Sequence, residues 1–78
     1  MKKDEQFNAE QLASLAKRFR KAAGKSKADV ARELGVAAPT VFSAEERPEM
    51  SLSLLRIRII EKYSKFKVTG PAYFLKHK

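Results

Sequence analysis

The chain has 78 residues, no cysteine and one histidine, and carries 17 Lys and Arg against 9 Asp and Glu for a net charge of +8. A chain of this length buries only about 60% of the surface its unfolded form exposes, so one small core is expected, with no disulfide or thiolate-bound metal to reinforce it. No apolar run approaches the ~18 residues of a membrane span, and the start MKKDEQFNAEQ lacks the apolar segment of a secretory signal, so a cytoplasmic protein with no membrane partner is expected.

The first helix should start at Asn8, whose side chain can accept a free backbone N–H while Gln11 reaches back in a capping box. Leu12, Leu15, Ala16 and Phe19 then recur at helical spacing, and Gly24 closes the helix as a left-handed C-terminal residue would. Ser26 with Asp29 repeats the cap-and-carboxylate start for a second helix. Val30, Ala31 and Leu34 form its buried face, and Gly35 ends it after two turns. Pro39 suits the first turn of a third helix, where its missing N–H leaves no bond unmade, and Val41 and Ala44 should face inward. A fourth helix is expected from about Ser51, with Leu52, Leu55, Ile59 and Tyr63 on one face. Leu54 and Ile57 fall on the far side of that helix, which therefore needs a second cover. The segment KFKVTGPAYFLKHK can supply it: Phe66 and Val68 alternate, Thr69-Gly70-Pro71 turns, and Tyr73 and Leu75 alternate again, as in a short β-hairpin or an extended arm.

Charge is unevenly spread. Between Lys17 and Arg32 seven basic residues face Asp29 alone, whereas Glu33, Glu45, Glu46 and Glu49 outweigh Arg47 in the next segment. From Ser51 onward Glu61 is the single acid among seven bases. Such blocks favour a polyanionic partner, nucleic acid before an acidic membrane surface. Nothing in the pattern points to an enzyme: the lone histidine is His77, near the end of the chain, and no glycine-rich phosphate loop or metal-ligand cluster is present. Neither a cofactor nor a metal is expected.

Ala31, Gly35 and Val41, set among Val30, Leu34, Val36 and Ala44, resemble the helix-turn-helix of the Cro/C1-type (XRE) DNA-binding family. A small residue at Ala31 lets two helices cross closely, Gly35 permits the positive φ of the tight turn, and Val41 fills the space between them. Glu45 matches the glutamate that commonly ends the family's third helix, and the likeness runs from Leu12 to about Tyr63. It implies an all-α, four-helix Cro/C1-type domain over residues 1–64, followed by a C-terminal β-hairpin or arm over 65–78. The function it implies is that of a sequence-specific transcriptional regulator, a homodimer bound to double-stranded DNA.

In that arrangement the second helix meets the backbone and the third lies in the major groove. The resemblance makes Lys25, Ser26 and Lys27 phosphate contacts and Arg47 a phosphate or minor-groove contact, with Arg47 equally readable as a surface charge balancing its acidic neighbours. It makes Ala37, Ala38, Pro39, Thr40, Phe42 and Ser43 the base-reading set. This set departs from the family's usual Arg, Gln, Asn and Ser, so direct readout should be thin: methyl contacts from Ala38 and Phe42, hydroxyl bonds from Thr40 and Ser43. Phe42 can equally be a packing residue against the fourth helix or the arm. Leu54, Ile57, Phe66, Val68, Tyr73 and Leu75 supply apolar surface either to join two chains or to seal one. The rival reading is a protein-interaction module, adaptor or antitoxin-like, that docks a protein partner through the acidic patch of Glu45, Glu46 and Glu49, the apolar third helix or the second face of the fourth helix.

Overall fold

The computed structural model describes residues 7–69 and 74–77. Among them, helices α1 (Ala9–Ala22), α2 (Lys27–Leu34), α3 (Ala38–Glu46) and α4 (Ser53–Tyr63) precede a hairpin of β1 (Phe66–Thr69) and β2 (Phe74–His77). The result is a small, mostly helical domain. None of its helices is long and apolar enough to cross a membrane.

Local chemistry explains where the first two helices begin and end. Asn8 Oδ1 accepts the Gln11 N–H at 2.8 Å while the Asn8 N–H donates to Gln11 Oε1 at 2.9 Å. Ser26 and Asp29 form the same reciprocal pair at 3.0 and 2.9 Å. These boxes satisfy backbone donors that a helix N-terminus otherwise leaves open. After α1 the chain takes φ +73° at Gly24, and the N–H groups of Gly24 and Lys25 return to the carbonyls of Lys21 and Arg20, the two bonds of a Schellman motif. After α2, Gly35 takes φ +71° and both its N–H and that of Val36 reach Ala31 O. A Cβ at Gly35 would meet nothing within 4 Å, so glycine is demanded there by the backbone angle and not by crowding.

The core draws on every helix: Leu12 and Ala16 from α1, Val30 and Ala31 from α2, Val41 and Ala44 from α3, and Leu55, Ile59 and Ile60 from α4, with Val68 of β1 closing it. α1 lies along α4, α2 packs on α3, and α3 touches both α1 and α4. Two expectations shift. α4 begins at Ser53, two residues later than its apolar pattern indicates, because the Leu52 N–H bonds back to Met50 O at 2.8 Å and draws Ser51 into a turn. The two far-side residues of α4 also part company: Ile57 is half-buried against the core, but Leu54 is 78% exposed and is not covered by the arm.

The hairpin is antiparallel, with Phe66 opposite His77, Lys67 opposite Lys76, Val68 opposite Leu75 and Thr69 opposite Phe74. Gly70, Pro71 and Tyr73, where the turn and one arm contact are expected, lie outside the described residues. What is described packs on its own chain. Val68 is buried, Leu75 rests against the core, and the Phe66 ring lies 6.0 Å from that of Phe19. The Val68 N–H donates to Glu61 Oε2 at 2.9 Å, and the Phe66 N–H to Ser64 Oγ at 3.0 Å, tying the strand to the end of α4.

Deleting residues 65–78 is therefore expected to lower the melting temperature, and Val68→Ala alone to cost about 1–2 kcal/mol for its two lost methyl groups. Thermal melts followed by circular dichroism check both, and an unchanged melting temperature in the truncated chain would remove the arm from the core.

Candidate nucleic-acid interface

α2 and α3 are joined by only three residues, and the left-handed Gly35 turns the chain sharply enough for α3 to pack back on α2. What fixes the pair against the rest of the domain is a buried charge pair. Arg20, in the last turn of α1, sends Nε to Glu45 Oε2 at 2.6 Å and Nη2 to Glu45 Oε1 at 3.1 Å, and its Nη1 donates to Lys25 O at 2.7 Å. Both side chains are withdrawn from solvent, with exposures of 7% and 0%. A bidentate guanidinium–carboxylate contact of this kind fixes direction as well as distance. Glu45 is thus internal. It cannot belong to an acidic docking patch, because its charge is spent on holding α1, α3 and the start of α2 together.

Around that pair, the residues expected to meet phosphate have partners of their own. Lys27 Nζ lies 3.9 Å from Glu45 Oε1 and 5.8 Å from the centre of the Phe42 ring. Lys25 Nζ bonds Glu33 Oε2 at 2.8 Å, and this contact raises its pKa. Glu33 also accepts the Tyr63 hydroxyl at 2.5 Å, so α2 is bridged to α4, and burial together with this bond pushes the phenol up to about 12. Ser26 is the α2 cap. Asp29, held down to about 2 by its bond from the Ser26 N–H and by Arg32, already places a carboxylate at that helix end. Arg47, 58% exposed, approaches Glu49 at 3.9 Å. Lys17 bonds Glu46 at 2.8 Å.

The third helix presents its expected reading residues unequally. Ala37, Ala38, Pro39 and Phe42 are exposed, the last at 46%, and share the outer ridge of α3 with Glu46. Phe42 lies beneath the Lys27 ammonium of α2 and is not among the residues packed against the core. Ser43 is half-buried at the edge of the ridge. Thr40 is half-buried too and lines a groove with Val36, Leu52 and Leu54, to the side of the ridge. Of the two hydroxyls expected to read bases, then, neither stands on the most exposed line of α3. Pro39 occupies the second helical position, behind Ala38. The α3 N-terminus has neither a side-chain cap nor an acidic residue in its first turn, so its partial positive charge is not neutralised by a side chain, although the Thr40 and Val41 N–H groups return to Ala37 O at 3.0 and 3.3 Å and Pro39 has none.

Three charged residues that pattern reading leaves on the surface are structural. Besides Arg20 and Glu45, Arg56 is fully buried on α4: its Nε donates to Ala44 O at 2.8 Å and its Nη2 to the carbonyls of Arg47 and Met50 at 2.9 and 3.0 Å. Burial pulls this guanidinium down from the ordinary arginine value. A signal was present in each case. Arg20 follows Ala16 by four residues, Glu45 follows Val41 by four, and Arg56 precedes Ile59 by three, so each sits in the phase of its helix's apolar stripe. No group of His, Cys, Asp and Glu among the described residues is able to hold a metal ion.

Glu45→Gln should destabilise the domain by about 3–5 kcal/mol by leaving the buried Arg20 charge uncompensated, and Arg20→Met combined with Glu45→Met should recover most of that loss. Urea denaturation of the single and double variants measures the difference. Acid has a separate effect. Asp29, Glu33 and Glu46 are held below ordinary carboxylate values by their hydrogen-bonded partners, so what they add to stability is complete above the unfolded-state pKa near 4 and lost as pH falls toward 2. Melting temperatures taken from pH 7 to pH 2 should be level at first and fall below about pH 4.

No family model, no curated protein and no solved structure matches this chain.

Proposed function

We propose that the chain is a Cro/C1-type helix-turn-helix regulator of transcription that binds double-stranded DNA, with the N-terminus of α2 at the phosphates and the outer ridge of α3 in the major groove. The observation that carries this reading is the exposed α3 ridge of Ala38, Pro39 and Phe42, with Lys27 of α2 set over the Phe42 ring, on a chain of net charge +8. An exposed helix that meets a duplex in this way needs positive charge beside its outer face, and Lys27 supplies it.

Most of the affinity then comes from phosphate. Ala38, Pro39 and Phe42 offer apolar contact to thymine methyls and no bidentate fork for guanine or adenine, so base discrimination per site is small. Lys25 and Lys27 reach phosphate by exchanging Glu33 and Glu45 for it, Arg47 by releasing Glu49. A homodimer compensates for the thin readout by doubling the contacted half-sites. Leu54, exposed on the lip of the groove formed by Val36, Thr40, Leu52 and Leu55, is the surface proposed for the second copy. A protein partner in place of DNA is the second reading, favoured by the apolar character of the same α3 ridge.

Anisotropy titrations of duplex DNA across a salt series separate the two. DNA binding predicts a linear fall of log K with log salt, with Lys27→Ala lowering the slope by about 0.9 for one lost phosphate contact. Ala38→Arg adds a donor fork to α3 and should alter the base preferred at one position by about 1–3 kcal/mol in selection from a random pool. A protein adaptor shows neither graded binding nor a selected sequence. For the dimer, Leu54→Glu should convert the sedimenting species to monomer with the helical circular dichroism retained, and should remove the dependence of melting temperature on protein concentration.

A further inference from the structure

The hairpin register sets Lys67 directly across from Lys76, and both side chains are exposed. Side chains in that relation stand about 4.5–5.5 Å apart at Cβ, and like charges so placed destabilise the strand pair. The fold does not call for it. Packing is carried by the inward residues, with Val68 opposite Leu75 and Phe66 against Phe19, so any polar pair would serve on the outer face. Neither ammonium has an ion-pair partner among the described residues. Lys65, also exposed, precedes β1, and Glu61, the only acid from Ser51 onward, turns Oε2 to the Val68 N–H.

We propose that this outer face is a second nucleic-acid contact surface, on which Lys65, Lys67 and Lys76 bind the phosphate backbone of duplex DNA. The proposal rests on the reading of DNA as the partner but not on α3 entering a groove. Two ammonium groups that repel one another in the free protein are relieved when phosphate lies between them, so the unfavourable pair becomes a binding determinant. Lysine presents a point charge and no planar fork, so this surface carries no base preference and its affinity is graded by salt. It stands on different elements from the α2–α3 surface: the hairpin packs on α4 and, through Phe66, on α1. The apolar side of the ribbon is turned into the core, which favours a rigid polyanion over a lipid surface that an amphipathic element would enter with its apolar face.

The test uses the full chain in three forms: wild type, the double variant Lys67→Gln with Lys76→Gln, and the double variant Lys27→Ala with Phe42→Ala. Each is titrated into a random-sequence duplex over a salt series and into phosphatidylserine vesicles. The hairpin variant is expected to lower the salt slope by about 1.8, two contacts at about 0.9 each, with the base preference of selected sequences unchanged. Lys67→Glu, which makes the cross-strand pair attractive, should melt at or above the wild-type temperature while binding duplex more weakly, so that lost binding is not lost folding. A second labelled duplex distinguishes a surface that lengthens contact with one duplex from one that bridges two, and either result supports the site. A slope unchanged in the hairpin variant but lowered in the α2–α3 variant overturns the hairpin site and leaves the groove reading standing. The reverse pattern overturns the groove reading and keeps the hairpin. Absence of duplex binding by wild type, or tighter binding to vesicles than to duplex, overturns the hairpin proposal.

Discussion

The contact between Arg20 and Glu45 is the constraint on which the arrangement of the helices depends. Apolar burial holds the four helices together but is non-directional, and a core this small tolerates several ways of setting one pair of helices against another. One guanidinium removes that freedom, because it grips a carboxylate on α3 with two bonds and the backbone of the loop before α2 with a third. Taking both charges out of water is unfavourable, and the bonds made by each of Nε, Nη1 and Nη2 offset it. The α2–α3 pair is thereby held at one angle to α1 and α4. Any surface that α2 and α3 present together exists because of this pair.

Arg56 does comparable work from the other side. Its three bonds to the carbonyls of Ala44, Arg47 and Met50 stop α3 and shape the turn into α4, in a place where no side chain of the turn itself caps the helix. Two buried guanidinium groups therefore anchor the C-terminal half of α3. The N-terminal half, with Ala38, Pro39 and Phe42 outward, is left uncovered. That division suits an element whose rear is fixed in a frame and whose front meets a partner.

How much of this is written locally differs from element to element. The capping pairs Asn8 with Gln11 and Ser26 with Asp29, and the left-handed Gly24 and Gly35, are matters of three or four neighbouring residues, and all of them are legible before any fold is known. The inward positions Val41, Ala44 and Ile59 follow from period alone, as does the alternation of Phe66 and Val68. Arg20 and Glu45 are a different case: each sits in the phase of its helix's apolar stripe, but 25 positions separate them and nothing local names either as the other's partner. The start of α4 escapes for the same reason, since the turn that displaces it is held by Arg56 from within the following helix. In the candidate site, the identity of the α3 ridge is legible, but the internal partners of Lys25 and Lys27 and the sideways turn of Thr40 require the tertiary structure. Only the register reveals that two lysines face each other.

The bare start of α3 has a dynamic consequence. A helix of nine residues that begins Ala-Pro-Thr, without a capping oxygen and without a carboxylate near its first turn, has little tendency to form by itself. Its first turn is accordingly expected to open at a cost below that of global unfolding, with the Thr40 and Val41 N–H groups, both bonded to Ala37 O, reporting the opening by exchange. On the proposed reading, an anionic oxygen at that end would offer an acceptor to the Ala38 N–H and favourable charge to the helix dipole. Occupancy and local order would then be coupled there, so that protection gained by the Thr40 and Val41 amides on addition of duplex reads out the coupling.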